Sequence, residues 1–399
     1  MLHESLTLSQ ALTYTAQFRL PPDTRADGIA TAVTGALERV DLGGRAGTVI
    51  GHLSGGQKKR ASLANQIVSR PNLLFLDEVT SGLDEGTDWE MMKLFRRMAD
   101  GGMTIVCVTH SVANVQDFCH KIVVMANPGV LAFYGTAEEA RRYFQVDKLG
   151  DIYRVLASRS GQEWRDRYRE SEEYQRYIQL RLGPPPTGPE AAPAAAYQRD
   201  WLKHKLPESQ RQFGILARRY GNLVLSDRKT LGLAAVQSML VGFLLALVFG
   251  TVGSTGPKVY SLLFFLGISS LWYGCNNAAK EIVKERPIYR LERDVNLSVA
   301  SYVVSKMALL SLVGLGQIIL LFLVVAIFTG IPGGSGQLTA MFVTMLAGTA
   351  TGLLLSAVSS SNDQASTLVP IALIPQILLA AVIVPDLPDV ASLIAHTGV

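Results

Sequence analysis

The residues able to do chemistry cluster in the first third of the 399-residue chain. The stretch "NLLFLDEVTSGLD", residues 72–84, carries an apolar run, Leu73 to Leu76, that ends in two acids, Asp77 and Glu78. A second stretch, "TIVCVTH", residues 104–110, repeats the layout and ends in His110. Short apolar runs of this kind suit strands buried on both faces of a parallel sheet. Ligands of open α/β sheets bind beyond the carboxyl ends of such strands. A helix bearing Met91, Phe95 and Met98 joins the two runs, which completes a βαβ unit. Two carboxylates and an imidazole then point at one edge. Asp77 can hold Mg²⁺, usually through water. Glu78 can orient or deprotonate an attacking water, and His110 can contact a γ-phosphate. A single Asp-Glu pair or one histidine is more often structural; the ordered set is much more specific.

Upstream lies "IGHLSGGQKKR", residues 50–60. Ser54 is a good N-cap. Gly55 and Gly56 let a ligand or another chain approach the backbone closely. Ala61, Ala64, Ile67 and Val68 then recur at helical spacing, and Arg70-Pro71 stops the run. The reading is a turn followed by a helix of about three turns, whose mouth of bare N–H groups is an anion site. Lys58, Lys59 and Arg60 crowd the first turn, where acids are the rule. The bland reading of those cations is a solvated basic patch.

Together these segments resemble the nucleotide-binding domain of an ABC transporter. "LSGGQ" (Leu53, Ser54, Gly55, Gly56, Gln57) matches the family signature, "LLFLDE" the Walker B strand, "SGLD" (Ser81, Gly82, Leu83, Asp84) the D-loop, and His110 the switch histidine. Val79 departs from the family, which usually has proline there. The resemblance implies that ATP and Mg²⁺ are bound at a dimer interface. The signature of one subunit there caps the γ-phosphate held by the other. It implies catalytic roles for Glu78 and His110, and Asp77 as the Mg²⁺ residue.

A P-loop of the form G-x-x-x-x-G-K-[ST] is part of the same family pattern, and the 399 residues contain no Gly-Lys dipeptide. The opening "MLHESLTLSQALTYTAQFRLP" looks like the segment that follows the family's Q-loop. A fragment, a misassigned start and a naturally split subunit are all compatible with this. The expected fold class is an α/β nucleotide-binding domain, partial and without its P-loop half, followed by an all-α transmembrane domain with about five spans.

Composition divides the chain in the same way. It is 48% hydrophobic and only 18% charged, with a net charge of +4. Residues 1–182 are mixed and charged and form the partial nucleotide-binding domain. Residues 183–206 hold a Pro/Ala-rich linker, read as a tether. Residues 207–230 form an amphipathic connecting helix, with Phe213, Leu216, Tyr220 and Leu223 on one face and Arg211, Arg218 and Arg219 away from it. This suits a helix in the headgroup plane of a membrane. Residues 231–399 are the permease part, with spans near 231–249, 259–279, 307–328, 338–357 and 367–384. The mild charge argues against a nucleic-acid partner. Cys107, Cys119 and Cys275 lack metal or redox spacing.

The loop between the second and third spans holds Lys280, Lys284, Arg286, Arg290, Arg293 and Lys306. Positive-inside reasoning puts it, and the nucleotide-binding half, in the cytoplasm of a cell whose plasma (inner) membrane holds the protein. Pro287 can open a short polar helix, residues 288–294, suited to carrying nucleotide-driven motion into the membrane. Gly348 and Gly352 have the spacing of a close helix contact. Asn276 and Asn277, beside Trp272 and Tyr273, could line a substrate path, although an interfacial belt explains them equally well.

The order of the halves, "KERPIYRLER" and "AFYGTAEEARRYF" resemble the G subfamily (White-type) half-transporters over nearly the whole chain. That resemblance implies a homo- or heterodimer, contact with membrane lipid, export of a hydrophobic small molecule or lipid, and a sixth helix beyond Val399. It thus implies truncation at both ends. Two functions follow. One is an ATP-hydrolysing exporter subunit. The other is a catalytically silent membrane partner whose LSGGQ completes the site of a P-loop-bearing subunit.

Overall fold

The computed structural model describes residues 2–109, 112, 114–182, 201–252, 256–293, 297–331 and 334–378, with 201–207 described in backbone only. The chain divides into two compact units. One comprises Leu20–Thr48 and His52–Gln198, the other Met1–Arg19, Val49–Gly51 and Arg199–Val399.

In the first of these, β1 (Leu73–Asp77) pairs in parallel with β2 (Thr104–Val108), with Leu73 opposite Thr104 and Asp77 opposite Val108. The crossover helix Glu85–Asp100 buries Met91, Phe95 and Met98, the expected stripe. Alternate residues of a strand face opposite ways, and only one face of this pair is covered. Leu74 and Leu76 are buried, whereas Phe75 is 71% exposed, with Leu73, Val106 and Val108 also exposed. The expectation of burial on both faces is therefore corrected. The local sequence set the strand but not what packs over it.

β3 (Ile122–Ala126) and β4 (Val130–Gly135) form an antiparallel pair around Asn127-Pro128-Gly129. Helix Ala137–Phe144 opens on a capping box: Thr136 Oγ accepts from the Glu139 amide and Glu139 accepts from the Thr136 amide. Phe133, Phe144, Trp164 and Tyr168 fill the core beneath.

The second unit is helical. Arg228–Phe249, Pro257–Arg293, Val299–Thr329 and Ser335–Val358 are long and apolar enough to cross a membrane. Of the fifth expected span, residues 367–378 lie within helix Asn362–Leu378, which contains Pro370 and Pro375; the remainder lies outside the described residues. Three glycines let two helices touch. A Cβ on Gly274 would collide with the Met345 carbonyl, one on Gly348 with the Leu271 carbonyl, and one on Gly352 with the Cys275 carbonyl. The Gly348/Gly352 spacing is thus a close backbone contact, as expected.

Two boundaries differ from the sequence reading. The connecting helix runs from Trp201 to Ser226, so it starts before Pro207 and takes up the end of the expected linker. It stops because Asp227 turns to cap the next helix, accepting from the Thr230 amide at 3.1 Å. Residues 183–200 of the linker lie outside the described residues. Helix Leu8–Arg19 packs with the connecting helix: Asn222 donates to the Tyr14 hydroxyl at 2.6 Å and Arg211 to the Gln17 carbonyl at 3.2 Å. The anchors are side chains 194 and 208 positions away in the sequence, which no local pattern reveals.

Candidate functional site: the signature turn and the acidic strand end

The signature turn folds as its residue types dictate. Leu53 is buried and anchors it. Ser54 caps helix Gly55–Ile67, and the cap is a full box: Ser54 Oγ accepts from the Gln57 amide at 3.4 Å, and Gln57 Oε1 accepts from the Ser54 amide at 3.1 Å. The box consumes the amides of Ser54 and Gln57 and leaves those of Gly55 and Gly56 as the open donors of the helix mouth. A Cβ on Gly55 would meet nothing within 4 Å, so this backbone is open to approach. A Cβ on Gly56 would lie 3.1 Å from Thr87, so that glycine faces the fold. The Ser54 hydroxyl accepts within the box and keeps its own proton to donate.

The cations are not a loose patch. Lys59 donates to the Ser81 carbonyl at 2.5 Å, and Arg60 pairs with Asp41 at 3.5 Å and Glu90 at 3.7 Å. Lys59 and Arg60 are thus engaged within the fold, so direct attraction of phosphate is not their principal use.

Asp77 and Glu78 are exposed at the end of β1. The Glu78 amide donates to the Val108 carbonyl at 3.0 Å, which ties this residue to β2. Glu78 sits at φ 46°, a left-handed conformation that costs a non-glycine residue roughly 1–3 kcal/mol and persists only where neighbours enforce it. In the D-loop, the Ser81 amide donates to the Glu78 carbonyl at 2.9 Å, Leu83 to Thr80 at 3.1 Å, and Gly82 takes φ 73°. Asp84 caps the following helix, accepting from the Thr87 amide at 2.9 Å and its hydroxyl at 2.7 Å. These bonds, the Thr87 hydroxyl first, hold the Asp84 carboxyl below its ordinary pKa. His110 lies outside the described residues. Nearby, Asn114 donates to Asp88 at 2.8 Å, both buried, a pairing that no local pattern of residues indicates. The exposed carboxylates fit a Mg²⁺ that keeps several waters and takes its other ligands from phosphate. Among the described residues no group of three or more His, Cys, Asp or Glu side chains could hold a metal alone.

A family model described as ABC transporter matches residues 1–81, and one described as ABC-2 type transporter matches residues 211–396. The chain is 30% identical over 404 aligned positions to ABC transporter ATP-binding/permease protein Rv1747 of Mycobacterium tuberculosis, covering 96% of this chain and 45% of that protein. The chain belongs to the ABC transporter family. Its arrangement is that of the G-subfamily half-transporters, with the nucleotide-binding part ahead of the membrane part. It is 25% identical over 377 positions to ABC transporter G family member 18 of Arabidopsis thaliana, covering 84% of this chain and 52% of that protein. With G family member 14 of Arabidopsis thaliana it shares 34% identity over 149 positions, 36% of this chain and 23% of that protein. The chain thus spans about half, or less, of the length of the curated relatives it matches.

The membrane part of this ABC transporter chain holds a buried charge network. Lys306 is 2% exposed and lies 2.7 Å from Glu285 and 3.6 Å from Glu281. Tyr220 donates to Glu281 and Tyr302 to Glu285. Arg219 forms a two-pronged pair with Glu292 of the short helix Arg286–Arg293. Arg219 was expected away from the apolar face; it is buried because Glu292 matches its fork. The signal for it is a lone lysine within the apolar run 299–329, which the basic-loop reading of Lys306 does not use. Asn277 donates to Gln317, which in turn donates to the Ala234 carbonyl at 3.3 Å, so this amide joins three helices. Asn276 is exposed on the outer face of its helix. The two asparagines are thus in different environments.

Proposed function

We propose that this chain is a subunit of an ATP-driven exporter of hydrophobic or lipid-like molecules. It works as a homo- or heterodimer in the plasma (inner) membrane with its nucleotide-binding part in the cytoplasm. The observation that carries this reading is the Ser54–Gln57 box, which fixes two open amides beside a backbone that nothing among the described residues covers. In the dimer these amides and the Ser54 hydroxyl take up charge on the γ-phosphate of ATP held by a P-loop-bearing polypeptide. Asp77 holds Mg²⁺ through water, and the ion supplies charge neutralisation at the phosphates. Glu78 takes the proton of the attacking water, and His110 contacts the γ-phosphate. Ser81, Gly82, Leu83 and Asp84 keep the acidic strand end in register with the signature helix. Asn276, on an exposed helix face, lines the substrate path; Asn277 supports that path through Gln317.

A second reading rests on the same open signature turn. On that reading the chain is a silent partner whose LSGGQ completes another subunit's site. Both readings are tested by ATP hydrolysis of the purified chain alone, with a P-loop-bearing polypeptide, and with that polypeptide plus Gly55→Asp. Hydrolysis only in the second assay supports the composite site. Full activity in the third defeats it, because an aspartate at the helix mouth blocks approach and repels phosphate. Glu78→Gln in the second assay separates the readings: loss of turnover supports the hydrolytic subunit, and unchanged turnover the silent partner.

A further inference from the structure

The signature turn and the acidic strand end belong to different catalytic duties on the hydrolytic reading, yet one side chain links them. Lys59 stands one turn into the signature helix and donates to the Ser81 carbonyl at 2.5 Å, twenty-two positions away in the chain. The Ser81 amide donates to the Glu78 carbonyl at 2.9 Å, and the Glu78 amide to Val108 at 3.0 Å. Glu78 therefore holds its left-handed backbone between two ties, one to β2 and one to the D-loop, and Lys59 pins the second. A further contact brings the same surfaces together, since Gly56 abuts Thr87, the residue that Asp84 caps.

We propose that Lys59 is a positioning residue: it couples engagement of the signature turn by one nucleotide to the placement of Glu78 toward another. The lysine touches neither nucleotide. Movement of the signature helix as it closes on phosphate is passed through Ser81 to the backbone that aims the Glu78 carboxylate. The charge of the ammonium matters because its acceptor is a neutral carbonyl at the surface, where a neutral donor would compete poorly with water. An arginine reaches the same carbonyl and retains the link; a methionine fills the space without it.

This inference rests on the hydrolytic reading above. The test measures ATP hydrolysis by the full chain assembled with a P-loop-bearing polypeptide, comparing Lys59→Met, Lys59→Arg and a surface control, Lys93→Met. Lys59→Met lowers kcat by about five- to tenfold and leaves KM for ATP within about twofold, as expected for a residue that acts only on the reacting geometry. Lys59→Arg recovers most of the loss, and Lys93→Met matches the unaltered chain. In a Glu78→Gln background Lys59→Met lowers the residual turnover no further, because the group it aims is already gone. An unchanged kcat in Lys59→Met, a raised KM with kcat intact, or an additive loss in the Glu78→Gln background overturns the proposal. Absence of hydrolysis by the unaltered assembly, or full turnover by Glu78→Gln alone, overturns the hydrolytic reading itself. Those outcomes are distinguishable because neither involves a change at Lys59.

Discussion

Lys306 Nζ lies 2.7 Å from a Glu285 carboxylate oxygen, and both side chains are less than a tenth exposed. Glu281 stands on the other side at 3.6 Å, and the ring of Tyr220 lies 4.1 Å away. Removing one partner of such a pair strands a buried charge, which costs about 3–5 kcal/mol, whereas removing both is far milder. Lys306→Met is expected to destabilise the chain by that order, and Lys306→Met with Glu285→Gln by clearly less. Thermal unfolding in detergent measures both. Equal loss in the single and double variants would show that the pair is not an energetic unit.

His3 adds a pH dependence to the same unit. Its ring lies 3.9 Å from Glu285, and its Nε2 is buried with no hydrogen-bond partner among the described residues. Burial, and then the charge of Arg219, lower its pKa from 6.5 to about 4. Between those values the unfolded chain binds a proton that the folded chain refuses. Stability is therefore unaffected above the unfolded value and falls as pH drops through the window, by at most roughly 1.4 kcal/mol per unit. Melting temperatures of the unaltered chain and His3→Gln, taken from pH 7.5 to pH 5, are expected to diverge, with the unaltered chain the steeper. Parallel curves would remove His3 as the source.

How much of this was legible depends on how local the cause was. Ser54 and Gln57 formed their box, as did Thr136 and Glu139, because a cap is decided within four residues. The parallel pairing of β1 with β2 followed from two apolar runs and a helix of the right length. The uncovered Phe75, the burial of Arg219 and the docking of helix Leu8–Arg19 depend on partners tens or hundreds of positions away. Lys59 shows the limit most plainly. Its type and place were visible, but its acceptor is a backbone carbonyl, which has no letter in the sequence.

Gly352 offers a packing test. A Cβ there would collide with the Cys275 carbonyl and stand 2.8 Å from the Ala278 Cβ, while one on Gly316 would meet nothing within 4 Å. Overpacking of a fixed contact costs about 1–3 kcal/mol. Gly352→Leu should lose at least that and lower the yield of folded protein, while Gly316→Ala should be neutral or slightly stabilising, since alanine suits a helix interior better. Fluorescence-detected size-exclusion profiles after heating compare the two. Equal behaviour would mean that the Gly352 contact is not tight in the membrane.

Orientation is testable because the lysine and arginine asymmetry predicts that the segment around 250–258 is outside and residues before Arg228 are inside. In a background with Cys107, Cys119 and Cys275 replaced, Lys258→Cys should react with an impermeant thiol reagent on intact cells. Glu170→Cys should react only after lysis. The reverse pattern would invert the topology.

Glu78 carries the last prediction. Its backbone is held by Val108 on one side and by Ser81 on the other, so an amide in place of the carboxylate should leave the turn intact. An amide keeps the shape but cannot accept a proton from water. In the assembly with a P-loop-bearing polypeptide, Glu78→Gln should retain ATP affinity within roughly twofold while turnover falls by about a hundredfold or more, the usual span for loss of a general base. Glu78→Asp should fall between the two, since it keeps the base but withdraws it by one methylene. Equilibrium binding of a fluorescent ATP analogue and phosphate release, measured on the same preparations, separate the two effects. A Glu78→Gln protein that turns over at the unaltered rate would favour the silent-partner reading over the hydrolytic one, and one that no longer binds nucleotide would make Glu78 a structural part of the pocket.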